Sequence, residues 1–218
     1  MSVRPVRRII ESKPTMECAR VKLRRAFGFG ETSESDPFLL FDDFRNDQPG
    51  DYRAGFPWHP HRGIETITYV LAGAVDHADS LGNHGTLGAG DVQWMTAGSG
   101  ILHQEMPQGD PQGRMHGLQL WANLPSSLKM TAPRYRDVQS SDIPEIVDDD
   151  GARVRVVCGS SGANAARSTG SRPIRAIWMC RYRRAGVRRC RSRPPGTPSR
   201  TCSRDREPSA TRHNHSAF

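Results

Sequence analysis

The sequence predicts an all-β chain, an antiparallel sandwich or barrel, and three observations carry that expectation. Short runs rich in β-branched and aromatic residues recur at strand length, as in Ile64-Glu-Thr-Ile-Thr-Tyr-Val-Leu-Ala. Glycine-bearing turns separate them, at Gly82-Asn-His-Gly, Gly88-Ala-Gly-Asp and Ala97-Gly-Ser-Gly. Two short pairs, His59-Pro60-His61 and His103-Gln104-Glu105, have i, i+2 spacing, which places both members on one face only in an extended strand.

Taken in order, residues 1–30 mix basic and apolar positions before Val21-Lys-Leu-Arg-Arg-Ala-Phe, whose alternation suggests a strand. A polar loop from Glu31 to Pro37 leads into Phe38-Leu-Leu-Phe-Asp-Asp-Phe, a run of the length of a buried strand. Phe56-Pro-Trp-His-Pro-His-Arg-Gly is expected to be extended, because the residue before a proline is pushed out of the α region, here His59 before Pro60. Strands are expected over Val92-Gln-Trp-Met-Thr, Ile101-Leu-His-Gln-Glu-Met and Gly117-Leu-Gln-Leu-Trp-Ala-Asn-Leu. Ser126 to Asp142 reads as a polar connector with a helical turn at Ser126–Met130, and Arg153-Val-Arg-Val-Val-Cys-Gly as a new strand. Frequent short strands of this kind fit a sandwich or barrel, inside which two pairs about 40 residues apart can meet.

Charge is divided unevenly along the 218 residues. Residues 1–160 carry 17 lysines and arginines against 21 acids, while 161–218 carry 14 arginines, no lysine and 2 acids, so the basic character belongs to the tail. No run of about 20 apolar residues exists to span a membrane, and the first residues lack the apolar stretch of a signal peptide, so a cytoplasmic protein is expected. Five cysteines without a C-x-x-C pair argue against a disulfide framework or a zinc ribbon.

Function starts from the two pairs. Three imidazoles and one carboxylate, His59, His61, His103 and Glu105, suit a first-row divalent ion such as iron, manganese, nickel, copper or zinc and leave coordination positions open. Single H-x-H spacing is a weak signal; joined to a downstream H-x-E among strands it points to one metal site.

Asp36-Pro-Phe-Leu-Leu-Phe-Asp-Asp-Phe, the stretch from Phe56 through Tyr69, the stretch from Gly90 through Pro107 and Gly117-Leu-Gln-Leu-Trp-Ala-Asn-Leu-Pro closely resemble the pirin family of the cupin superfamily. The resemblance covers residues 1 to about 158. It implies a bicupin, two jelly-roll-like β-barrels of which the N-terminal one holds a mononuclear Fe(2+) through three histidines and a glutamate. Those ligands fall on His59, His61, His103 and Glu105. The wider cupin pattern places a glutamate at Glu65 instead; pirins use the later one, so Glu65 is expected to be a strand residue near the rim. The resemblance further implies either a quercetin 2,3-dioxygenase, opening a flavonol-like substrate with O₂, or a non-catalytic metal- or redox-dependent regulatory partner of transcription factors or enzymes. For the enzyme, Glu105 is expected to serve as ligand and as catalytic proton acceptor.

Three segments are expected on this basis: an N-terminal pirin/cupin barrel at 1–140, a linker and first strand of an incomplete second cupin at 141–160, and an arginine-rich tail at 161–218 that is disordered or frameshifted. The tail has the bias of a GC-rich gene read in the wrong frame, with the shift placed near residues 160–175. A nucleic-acid-binding arm is the rival reading, disfavoured because no binding fold accompanies the charge. Loss of a second barrel would expose apolar surface and leaves an inactive truncated fragment as a third possibility. His77, His84 and His116 lack a partner at i+2 and are expected to be surface or hydrogen-bonded groups. Trp58, Trp94 and Trp121 are expected to pack the barrel, with Trp58 or Met95 as candidates to line a pocket. Cys18 and Cys158 read as small buried or part-exposed thiols, and Cys180, Cys190, Cys202 and the His213-Asn-His215 pair as incidental.

Overall fold

A computed structural model describes residues 9–147, 153–161, 164–165 and 177–181. They divide into two compact units, one formed by 10–142 and another that contains the described residues from Ile143 onward.

The first unit is built from two antiparallel sheets. Strands β1 (Lys13–Glu17), β2 (Val21–Phe27), β3 (Phe38–Asp43), β4 (Phe56–His61), β5 (Ile64–Ala72), β6 (Ala74–Asp79), β7 (His84–Leu87), β8 (Val92–Thr96), β9 (Ile101–Gln108), β10 (His116–Asn123) and β11 (Arg134–Val138) follow one another along the chain. A seven-stranded sheet has the order β1-β2-β3-β10-β5-β8-β11, and a four-stranded sheet the order β4-β9-β6-β7. The all-β expectation therefore holds, and strands distant in sequence, β3 with β10 and β4 with β9, are neighbours.

Alternation sets the faces. Along β9, Ile101, His103, Glu105 and Pro107 are buried while Leu102 and Gln108 are exposed, the period-2 signature of a strand with one face turned inward. Val21 and Leu23 of β2, Val70 of β5, Val75 of β6 and Leu87 of β7 share one core with Phe44, Tyr52 and Met115, so the two sheets pack face to face. Met95, Ala97 and Ile101 form a second core against which Ile64 and Tyr135 lie. On the opposite face of the large sheet Ile67, Tyr69 and Trp94 are buried as well. Arg25 of β2 clamps Asp42 of β3 through two 2.8 Å hydrogen bonds and reaches Glu17 of β1 at 2.8 Å, tying three adjacent strands.

The polar connector at 126–142 is in part a strand. Its helical turn is present at Ser126–Leu128, but Arg134–Val138 adds to the edge of the large sheet against β8. Two arginines and an aspartate hid it, because an edge strand tolerates charge along its open side. The polar loop before β3 contains a 3-10 turn at Phe29–Glu31 and one α-helical turn, α1, at Thr32–Ser35. Between β8 and β9, Gly98 has φ +52°, and a Cβ there would meet the Thr131 carbonyl; only glycine fits this turn.

In the second unit β12 (Glu145–Val147) and β16 (Ile177–Arg181) flank β13 (Arg153–Cys158), beside a short pair, β14 (Ser160–Ser161) and β15 (Asn164–Ala165). Val156, Val157 and Cys158 are buried. The expectation of disorder for the rest of the tail, with Cys190, Cys202, His213 and His215, lies outside the described residues.

Candidate metal centre

β4 and β9 run side by side, with His59 directly opposite His103 and His61 opposite Ile101. The two i, i+2 pairs thus share one face of one ladder. One ligand atom from each of His59, His61 and His103 lies within 4.8 Å of the other two. His59 Nδ1 stands 2.8 Å from the Pro57 carbonyl; a carbonyl only accepts, so the ring proton sits on Nδ1 and the Nε2 lone pair is free. That Nε2 is 3.1 Å from His61 Nε2, near the separation of about 3 Å expected for two cis nitrogens each about 2.1 Å from one ion.

His103 is 1 % exposed, and neither of its ring nitrogens has a hydrogen-bond partner. A buried polar atom without a partner costs about 1–3 kcal/mol, and a shared cation relieves it. Burial is the main cause that pushes His61 and His103 down to about 3, with the neighbouring imidazoles adding to it. Both rings are therefore neutral at physiological pH, the form that ligates. The donor set fits a borderline divalent ion.

Glu105 follows His103 on the same inward face of β9 and is 4 % exposed. Its carboxylate is not part of the 4.8 Å group formed by the histidines. It accepts hydrogen bonds from Thr68 Oγ1 at 3.2 Å and from Gln119 Nε2 at 3.1 Å to Oε1 and 2.8 Å to Oε2. Gln119 Oε1 in turn accepts from Trp121 Nε1 at 2.9 Å. The Trp121 ring packs edge-on against His61 with centroids 4.8 Å apart, and Phe29, 62 % exposed, also meets it edge-on at 5.9 Å. Thr68, Gln119 and Trp121 were not singled out from the sequence as site residues. Gln119 and Trp121 have the same i, i+2 spacing as the His59–His61 and His103–Glu105 pairs, which was the available signal.

Glu65 is fully buried rather than at a rim. Strand alternation turns it away from Thr66 and Thr68, and its Oε1 accepts from Thr96 Oγ1 at 2.8 Å, so it belongs to the opposite face of the large sheet. His77 departs from the expected surface or hydrogen-bonded role: it is buried, its ring nitrogens lack hydrogen-bond partners, and it stacks on Tyr135. Its position opposite Glu105 on the inward face of β6 explains this. His84 is exposed beside the Gly82 carbonyl, and His116 lies 3.8 Å from Asp43. Trp94 is buried, Trp121 borders the site, but Trp58 is 53 % exposed and does not pack the barrel. Met95 is fully buried in the core beside Tyr135. Cys18 is exposed and Cys158 buried.

Among the described residues no helix is long and apolar enough to cross a membrane. The family profile described as Pirin matches residues 20–122. A pirin-like protein of Caulobacter vibrioides is 47% identical over 82% of this chain and 64% of its own length. Human pirin is 46% identical over 69% of this chain and 50% of its own length. The crystal structure of a quercetin 2,3-dioxygenase from Acinetobacter baumannii superposes with a TM-score of 0.69 at 34% identity, covering 78% of this chain and 62% of that one. The chain thus spans between about half and two thirds of the length of these relatives, and its fold is that of a cupin barrel.

Proposed function

The chain carries a pirin-family domain over residues 20–122, and from that premise we propose that it is a metal-dependent dioxygenase of the quercetin 2,3-dioxygenase type. One Fe(2+) would be held by His59, His61, His103 and Glu105, and the substrate would be a flavonol-like aromatic molecule opened with O₂. The observation that carries the reading is the convergence of three imidazoles within 4.8 Å of one another around a buried His103 whose nitrogens have no partner. A relative of similar fold bearing the name quercetin 2,3-dioxygenase supports the substrate class. A cytoplasmic setting, where Cys18 stays reduced, accompanies it.

When bound, the ion would supply Lewis-acid and redox chemistry. The residues of the chain do the rest. Trp121 and Phe29 present an aromatic edge beside His61, against which a planar substrate can stack. Glu105 accepts the proton of the substrate hydroxyl on a carboxylate lone pair left open by Thr68 and Gln119. Purified protein is assayed for iron and for flavonol loss under O₂; the reading requires both, with turnover lost in Glu105→Gln. Full turnover and full metal content in that variant would overturn the role of Glu105.

A second reading is a metal-holding regulatory partner without turnover. Trp58 and Leu102, 53 % and 48 % exposed on the outside of β4 and β9, are apolar groups that a protein partner would cover. Bound metal with no flavonol loss favours it, whereas a chain that takes up no metal is the inactive fragment.

A further inference from the structure

We infer that Gln119, locked in one orientation by Trp121, is the positioning residue that aims Glu105 at the metal. The inference rests on the reading that His59, His61, His103 and Glu105 hold the ion. Its own ground is the direction of three hydrogen bonds. An indole N–H only donates, so the Gln119 amide must turn its oxygen to Trp121 Nε1, 2.9 Å away. The amide nitrogen is thereby committed to the other side, where it donates to Glu105 Oε1 at 3.1 Å, Glu105 Oε2 at 2.8 Å and Thr68 Oγ1 at 3.1 Å. Thr68 passes its own proton on to Glu105 Oε1 at 3.2 Å. Which end of the amide is nitrogen, usually a matter of assignment, is fixed here by its neighbours.

Both carboxylate oxygens are consequently engaged from the β5 and β10 side. The plane of the carboxylate is set by these contacts, and Glu105 shares the inward face of β9 with His103. A glutamate has three rotatable bonds, and freezing them in advance removes an ordering cost from ligation. Trp121 is coupled to the cluster a second time, through its ring contact with His61. Partners that orient ligands in this way are typically worth roughly 10–100-fold in metal affinity.

The test uses Co²⁺ alone, titrated into the full-length metal-free protein, with affinity and the visible ligand-field spectrum as readouts. Gln119→Met, close to isosteric, should weaken Co²⁺ binding by roughly 10–100-fold and shift the spectrum towards that of Glu105→Ala. Trp121→Phe, which keeps a ring against His61 and removes only the N–H, should give a smaller shift of the same kind. In a Glu105→Ala background, neither substitution should have a further effect. Unchanged affinity and spectrum in both single variants would overturn the inference, as would an effect of equal size without Glu105. If Glu105→Ala itself leaves the Co²⁺ spectrum unaltered, glutamate ligation fails and the inference with it. If Glu105→Ala alters the spectrum and the Gln119 and Trp121 variants do not, only the positioning role fails.

Discussion

At the scale of single residues, the buried imidazoles carry the most direct consequences. His61 and His103 stay neutral in the fold down to about pH 3, while an unfolded histidine takes up its proton near 6.5. Their folded values are depressed, so metal-free protein is fully stabilised by them above about pH 6.5 and loses stability as pH falls from there towards 3. Between pH 7 and 5 the loss is on the order of a few kcal/mol for the two groups together. Urea denaturation of chelator-treated protein between pH 7 and 5 measures it, and the His61→Asn, His103→Asn double variant should show a flatter slope. Tyr135 makes the opposite kind of prediction. Its hydroxyl is buried without a partner, and burial raises its pKa above the ordinary value, with nearby Asp79, Glu105 and Asp137 adding to the rise. Tyr135→Phe removes an unsatisfied group and should leave the melting temperature unchanged or raise it by a few degrees. A clear fall would show that an ordered water serves the hydroxyl.

The His59–His61 and His103–Glu105 pairs were legible because i, i+2 spacing is a local property and a strand needs nothing else to place both members on one face. What surrounds Glu105 was not. Gln119 Nε2 and Thr68 Oγ1 reach it from other strands, 14 and 37 residues away in sequence, and no local spacing encodes that meeting.

At the scale of elements, β4 and β9 form the ladder that matters, and the turn that delivers β9 is its weak point. Gly63 N–H donates to the Gly98 carbonyl and Ser99 N–H to the Thr131 carbonyl, both at 2.8 Å. Gly98→Ala would force a side chain into a left-handed conformation and against that carbonyl. The expected cost is about 1–3 kcal/mol, measured as a lowered melting temperature together with weakened Co²⁺ binding, since the turn leads directly into Ile101 and His103. The strands rich in β-branched residues were plain from composition. β1 and β11 were not, being short, polar and at the two edges of the large sheet, where one neighbour suffices and charge is tolerated.

For the molecule as a whole, the proposed metal binding would be linked to folding. An ion that binds the native state alone stabilises it by about 2.7 kcal/mol at a concentration 100 times its dissociation constant. Saturating Fe²⁺ or Co²⁺ should therefore raise the melting temperature, and a chelator should reverse the shift; His103→Ala should show neither response. Composition set the tail apart from the rest, because 14 arginines against 2 acids after residue 160 is a bias no packed core requires. A frameshift as its origin is tested by the nucleotide sequence around codons 160–175, where one clean frame shared by related strains would refute it.

The adjacency of β4 and β9 also governs which length changes the gene can tolerate. Both halves of the proposed metal set stand on neighbouring strands although some 40 residues separate them in sequence. Insertions at the exposed turn around Gly82 leave that ladder in register and should be nearly silent. A single-codon deletion between His103 and Glu105 is different in kind. It turns one member of the pair to the outside of the sheet while the other stays within, so the proposed site should tolerate drift in its loops and almost none in β4 and β9.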